Sequence, residues 1–92
     1  MIIRFTRPAA KQLDAILDYI AGHSPQGAGN LLDKMDETLA LVATQPRIGR
    51  ATNRPDFRRV NLYPHPYVIF YRAGATEIVI HAIRHAARKP RI

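Results

Sequence analysis

The sequence contains no cysteine, which excludes both a disulfide framework and a metal site built on thiolates. Long apolar runs are missing as well, because no stretch approaches the roughly 20 residues that a membrane-spanning helix requires. The opening residues 1–5 are too short an apolar run for a secretion signal. We therefore expect a cytoplasmic protein that has no membrane partner.

Acidic residues are scarce in the second half of the chain. Residues 1–45 carry four basic and five acidic groups, whereas residues 46–92 carry ten basic groups and two acidic ones. The net charge of +7 therefore resides in the C-terminal half. Such asymmetry is typical of a protein that binds an anionic partner, either nucleic acid or an acidic protein surface. Ordinary solubilising charge is the alternative interpretation.

Most enzyme signatures are absent too. The sequence has no nucleophilic serine motif, no phosphate-binding glycine loop and no dinucleotide fingerprint. His81 and His85 are four residues apart on a predicted strand, and only Asp56 and Glu77 offer carboxylates in this half of the chain. That spacing does not suit a metal site. We expect neither a metal nor another cofactor.

The chain of 92 residues fits a single domain, residues 1–92, with one modest core, since chains of this size bury only about 60 to 65% of their unfolded surface. A short strand is predicted at Ile2–Phe5. Thr6 can cap a helix with Pro8 in its first turn, and this helix should end near Gly22. Its apolar residues recur at helical spacing and are Leu13, Ile16, Leu17 and Ile20.

A second helix is predicted to extend as far as Pro46. Ser24 and Pro25 repeat the cap and first-turn proline, but the two glycines that follow weaken the first turn, so a start near Ala28 is the alternative. The two helices then form an antiparallel hairpin. The apolar stripe of the second helix consists of Ala28, Leu31, Leu32, Met35, Leu39 and Val42.

Residues 46–56 lack any periodicity and are rich in proline, glycine and arginine, which predicts a surface loop. Three strands follow, and an antiparallel meander is the simplest way to connect them. The predicted class is therefore α+β, with the order β-α-α-β-β-β and one sheet. The predicted strands are Phe57–Tyr63, Tyr67–Ala73 and Glu77–Arg84.

The middle strand is apolar on both of its faces over residues 67–71. Two helices can cover only one face of a sheet, so the other face is expected to expose a sizeable apolar patch. A patch of this kind normally indicates a protein partner.

Cationic side chains occupy the predicted strands and the tail. Strand alternation places Arg58 on the Val60 face and Arg59 on the opposite one, so the two cannot act as a unit. Most of the cations are expected to cluster at one end of the sheet. The candidates for contact with a target are Arg59, Arg72, Arg84, Arg88 and Lys89.

Two histidines of the last predicted strand region are candidates for proton transfer. His81 and His85 are expected to share one strand face, where histidines beside arginines could serve in the cleavage of an RNA phosphodiester. The alternative is a half-buried histidine and a solvated one without a chemical role. The sequence therefore leaves enzymatic activity open.

Four strings follow one another in the second half of the chain: Gln-Pro-Arg-Ile-Gly-Arg at 45–50, Phe-Arg-Arg-Val at 57–60, Tyr-Val-Ile-Phe-Tyr-Arg at 67–72 and Ile-Arg-His-Ala-Ala-Arg at 83–88. Together with the helical hairpin before them they resemble the ParE/RelE toxin superfamily, and the resemblance spans nearly the whole chain. The long apolar stripe of the second helix and the last two strings resemble the ParE-like branch, and no tyrosine follows His85 to complete the catalytic set of a nuclease.

The resemblance implies a toxin of a bacterial type II toxin–antitoxin pair, held inactive by a ParD-like, DNA-binding antitoxin. ParE-like members poison DNA gyrase, and the partner would be gyrase or the gyrase–DNA complex. RelE-like members are ribosome-dependent mRNA endonucleases, and a protein that has lost its activity is a third hypothesis. A nuclease would use His85, Arg84, Arg72 and His81. We expect the antitoxin to contact Ile20, Leu31, Met35, Tyr67 and Ile69, as apolar positions in need of cover.

Overall fold

The structure is a computed structural model and describes residues 1–87 of the chain. It confirms the predicted α+β class, with a helical hairpin packed on one side of a five-stranded sheet. The elements in chain order are β1 (Ile2–Phe5), α1 (Arg7–His23), α2 (Pro25–Thr44), β2 (Arg50–Ala51), β3 (Phe57–Asn61), β4 (Tyr67–Ala73) and β5 (Glu77–His85).

One serine joins the two helices. The backbone N–H of Ser24 donates to the carbonyl of Ile20 and closes α1, while its hydroxyl accepts from the N–H of Gly27 at 3.0 Å and opens α2. Because this cap and Pro25 fix the first turn, α2 begins at Pro25. The alternative start near Ala28 is wrong.

The sheet has the strand order β1-β5-β4-β3-β2. The antiparallel meander of β3, β4 and β5 is confirmed, but β1 pairs in parallel with β5 and makes the sheet mixed. The predicted loop at 46–56 contributes β2, which pairs with β3. Strand β3 ends at Asn61 and not at Tyr63 as predicted. The N–H of Leu62 donates to the carbonyl of Tyr67 and closes the hairpin at that point.

A bulge in β5 separates the two histidines. Phe70 pairs with Ala82 and the next residue of β4, Tyr71, pairs with Ile80, so His81 is an extra residue without a counterpart. An extra residue shifts the alternation of side chains by one position. The expectation that His81 and His85 share a face is therefore wrong.

The core lies between the helices and one face of the sheet. Thr6 begins α1 beside the bulge, because its N–H donates to the carbonyl of Ile80 at 3.0 Å and its hydroxyl accepts from the N–H of Ala9. This connection brings α1 directly over β5. The buried residues of this core are Ala9, Leu31, Met35, Leu39, Val42, Leu62, Ile69, Tyr71, Ile78, Ile80 and Ile83.

Tyr71 attaches the segment before β2 to the sheet. Its side chain is fully buried, and its hydroxyl donates to the carbonyl of Pro46 at 2.7 Å and accepts from the N–H of Gly49 at 3.0 Å. Arg58 adds a hydrogen bond of 2.9 Å to the carbonyl of Gly49. Burial raises the pKa of the Tyr71 hydroxyl, so it remains a neutral donor at physiological pH.

Gly49→Ala is expected to destabilise the protein by about 1 to 3 kcal/mol, since overpacking in a tight contact has costs of that size. A Cβ at this position would lie 2.6 Å from the hydroxyl oxygen of Tyr71 and 2.9 Å from the backbone oxygen of Arg59. The measurement is the free energy of unfolding in urea. Gly22→Ala is the matched control, because a Cβ there meets nothing within 4 Å and alanine favours a helix by about 0.5 to 1 kcal/mol. Equal effects of the two substitutions would contradict the steric argument.

Tyr71→Phe is expected to cost about 1 to 3 kcal/mol, because it leaves the N–H of Gly49 and the carbonyl of Pro46 without their partner. Unfolding in urea measures the loss. Tyr63→Phe is the control, since the side chain of Tyr63 is 80% exposed. A Tyr71→Phe protein as stable as the control would show that water replaces the hydroxyl without loss.

Candidate functional site

The candidate site is the face of the sheet opposite the helices, which we call the open face. Its membership follows from strand alternation and register, since Ile69, Tyr71, Ile78 and Ile80 point into the core and their neighbours point the other way. The open face comprises Ile2, Arg4, Arg50, Phe57, Arg59, Asn61, Val68, Phe70, Arg72, Glu77, Val79, His81, Ala82 and Arg84.

Three of the predicted target contacts lie on the open face, on three neighbouring strands. Each stands opposite an apolar partner: Arg72 pairs with Phe57, Arg59 with Phe70, and Arg84 with Val68. Successive levels along a strand face are about 7 Å apart. The arginines therefore extend along the whole face, and the expectation that they cluster at one end of the sheet is wrong.

Arginine side chains cover the apolar floor of the open face. The guanidinium of Arg54 lies 4.5 Å from the ring centroid of Phe57, and that of Arg59 lies 5.8 Å from the centroid of Phe70. Phe57 is 7% exposed and Phe70 is 2% exposed. Long cationic side chains can bury their stems on apolar surface while their charges stay in water. The expected exposed apolar patch is therefore wrong for this face.

Two carboxylates accompany these cations in the described part of the chain. Asp56, at the border of the open face, lies 3.9 Å from Arg72, and Glu77 lies 3.4 Å from Arg4. Both pairs are substantially exposed, so each contributes little to stability. Arg54 and the five arginines of the open face stand against these two carboxylates, an excess of four positive charges.

The residues expected of a nuclease are not brought together. His81 lies on the open face with its ring 4.7 Å from that of Phe57, and Arg72 and Arg84 share this face. His85 instead points to the helix side, where its ring lies 5.5 Å from that of Tyr67. Because of the bulge, the described strands place one histidine, and not two, among the cations of the open face.

His81 has a perturbed acid–base equilibrium. Burial lowers the pKa of its imidazole, and the guanidinium groups of Arg54 and Arg72 lower this pKa further. Both effects disfavour the charged form. His81 is therefore neutral at physiological pH and can accept a proton.

The residues expected to contact an antitoxin divide into two groups. Leu31, Met35 and Ile69 are 1%, 2% and 0% exposed and belong to the core of the chain itself, so their side chains offer no surface to a partner and that expectation is wrong. They were expected to lie beyond the core stripe, but all three belong to the core between the helices and the sheet. Ile20 and Tyr67 are half-buried at the edge of this core.

A groove of about 710 Å³ runs between α1 and the end of β5. Beyond Ile80 the strand β5 has no partner on the β1 side, and the side chain of Gln12 accepts a hydrogen bond from the N–H of Ile83 at 2.9 Å. Tyr19, which is 68% exposed, stands at its rim. The groove is lined by Gln12, Ala15, Ile16, Tyr19, Pro66, Tyr67, Ile83, Arg84 and His85.

Sequence reasoning missed three arginines of the site. Arg50 lies beside Arg59 on β2, Arg54 covers Phe57, and Arg4 belongs to β1. Two of them were assigned to a surface loop, and no local pattern reveals that residues 50–51 pair with β3. The alternation of β1 could have suggested Arg4, but its face depends on a partner far away in sequence.

Two of the predicted target contacts, Arg88 and Lys89, lie outside the described residues. Within residues 1–87, no group of three or more histidine, aspartate or glutamate side chains is arranged to hold a metal ion. None of the helices in that range is long and apolar enough to cross a membrane.

Comparisons with known proteins identify one matching family. Residues 3–90 match the family described as "ParE toxin of type II toxin-antitoxin system, parDE". A search of curated proteins found no match.

Solved structures share the fold. A chain of the chromosomal ParDE toxin–antitoxin system from P. aeruginosa superposes with a TM-score of 0.76 at 28% identity, covering 92% of this chain and 95% of the other. The isolated E. coli RelE toxin gives a TM-score of 0.70 at 16% identity, covering 96% and 86% of the two chains. A chain of the intact E. coli RelBE complex gives 0.70 at 16%, covering 95% and 98%.

His81→Gln is expected to reduce the acid sensitivity of the fold. The pKa of His81 is lowered from 6.5, so the unfolded chain binds a proton here before the folded one does, and stability falls as the pH drops below that value. The stability advantage of the wild type over His81→Gln should therefore shrink between about pH 7.5 and about pH 5. Urea unfolding at both pH values measures it, and an advantage that does not change with pH would contradict the assignment.

Proposed function

Because the chain belongs to the ParE toxin family of type II toxin–antitoxin systems, we propose that it inhibits DNA gyrase, and thereby replication, when no antitoxin is bound. The resemblance to this branch noted from the sequence is confirmed by the family match over residues 3–90. The likeness to RelE, at 16% identity, concerns the fold. We place this activity in the cytoplasm.

The composition of the open face is the observation that carries the proposal. It presents an excess of cations around a single histidine, and the second histidine lies on the opposite face of the sheet. Cleavage of RNA by this kind of chemistry requires both a base and an acid beside the phosphate. Inhibition by binding requires only the charged surface, which the described residues supply.

We propose that the cognate antitoxin, a ParD-like protein, forms a hetero-oligomer with this chain. The groove between α1 and the end of β5 supports a docking place for it, because Ile16, Tyr19 and Tyr67 give the groove apolar surface. Ile20, one turn beyond Ile16 on the same helix, extends this surface. Truncation of Tyr67 should weaken the complex more than truncation of an exposed residue of α1 that lies outside the groove.

A ribosome-dependent mRNA endonuclease is the second candidate, and one observation favours it. His81 is neutral at physiological pH because its pKa is lowered, and it lies close to Arg54 and Arg72. A neutral imidazole beside guanidinium groups could take a proton from a 2′-hydroxyl while the cations stabilise the phosphate. The base would then be His81 and not His85.

Purified protein free of antitoxin tests both functions side by side. We expect it to inhibit supercoiling by gyrase and to leave mRNA intact in a translation extract. His81→Ala should retain most of the inhibition, because no proton transfer is required, whereas Arg72→Gln combined with Arg84→Gln should lose about tenfold or more through two lost charge contacts.

Lys11→Gln, on the exposed side of α1, is the matched control for loss of charge and should inhibit gyrase like the wild type. If the wild type cuts mRNA, His81→Ala does not, and gyrase is unaffected by either protein, the nuclease would replace the gyrase proposal. Activity in neither assay would contradict both.

A further inference from the structure

The centre of the open face differs from most protein-binding surfaces in having no exposed apolar anchor. Ile2, which is 66% exposed, lies at the border of the face on β1. Protein interfaces depend on aromatic or aliphatic side chains that insert into the partner. Phe57, Phe70 and Val68 are the apolar residues at the centre of the open face, and they are 7%, 2% and 1% exposed in the free chain. A partner that binds at the centre of the open face therefore contacts guanidinium groups and not apolar side chains.

The cations are distributed along the length of the open face, as contacts with a charged polymer require. Arg72, Arg59 and Arg84 occupy successive levels about 7 Å apart. Arg50 extends the second level to the border strand β2. In the described part of the chain only two carboxylates interrupt this field, and each already lies beside an arginine.

Buried rings also limit what kind of nucleic acid fits. Proteins that hold single strands stack bases on accessible aromatic rings, and the rings of Phe57 and Phe70 are covered by Arg54 and Arg59. A surface that offers charges without stacking platforms contacts phosphates and not bases. Duplex DNA displays its phosphates on the outside and keeps its bases stacked.

We propose that the open face binds the phosphate backbone of duplex DNA without sequence preference. This inference deepens the proposed inhibition of gyrase, because it names the DNA held by the enzyme, and not a protein surface of gyrase, as what the open face touches. Arg50, Arg59, Arg72 and Arg84 form the contact.

The test measures DNA binding without gyrase, so its result is independent of the inhibition assay. Purified protein is titrated into a fluorescent duplex of about 20 base pairs at several salt concentrations. Each phosphate contact contributes about 0.9 to the slope of log K against log salt. Arg50→Gln and Arg84→Gln, at opposite borders of the face, should each lower the slope by about 0.9.

When the salt concentration rises about fourfold, the affinity of a variant that lacks one contact should fall by a factor about 3.5 times smaller than the affinity of the wild type does. Lys11→Gln removes the same charge from the outer side of α1 and should keep the wild-type slope. Circular dichroism establishes that all three variants are folded.

Several results would overturn the inference. These are the absence of duplex binding at low salt, a slope that Lys11→Gln lowers as much as Arg84→Gln does, tighter binding of a single strand of the same length, or equal binding of polyglutamate. Gyrase inhibition that persists without DNA binding would overturn this inference alone. DNA binding without gyrase inhibition would contradict the proposed function and leave this inference standing.

Discussion

The hydroxyl of Tyr71 attaches the segment that follows α2 to strand β4. It lies in the core, donates to Pro46 and accepts from Gly49, so the segment that leaves α2 has to run across the edge of the sheet. Glycine is required there because the ring and the backbone of β3 leave no room for a Cβ. Arg58 completes the connection through the carbonyl of Gly49. As a result β2 forms beside β3, and Arg50 reaches the open face.

The bulge at His81 determines which residues the two faces of the sheet receive. Upstream of it, Ile78 and Ile80 point into the core, and downstream of it Ile83 does so. The carbonyl of Ile80 accepts a hydrogen bond from the N–H of Thr6, at the point where β1 ends and α1 begins. One extra residue thus separates the two histidines and marks the place where the first helix crosses over β5.

Arginine serves two purposes on the open face. The guanidinium groups of Arg54 and Arg59 lie over the rings of Phe57 and Phe70, and guanidinium groups also form the charged surface on which the proposed functions depend. These contacts help a sheet with helices on only one side to keep the two rings buried. They also explain why charge, and not apolar area, characterises the candidate site, and why gyrase inhibition and DNA contact are both argued from cations.

Local patterns in the sequence were enough to determine the helices, the meander and the charged half of the chain. Caps such as Thr6 and Ser24 and the spacing of apolar residues act between near neighbours, and for this reason the α+β class and the family resemblance could be read directly. Tertiary structure alone decided the parallel pairing of β1, the strand β2, the bulge, and the burial of Leu31, Met35 and Ile69. Each of these depends on contacts between residues far apart in the chain, and an alternation pattern cannot reveal an extra residue until the partner strand shows which position has no counterpart.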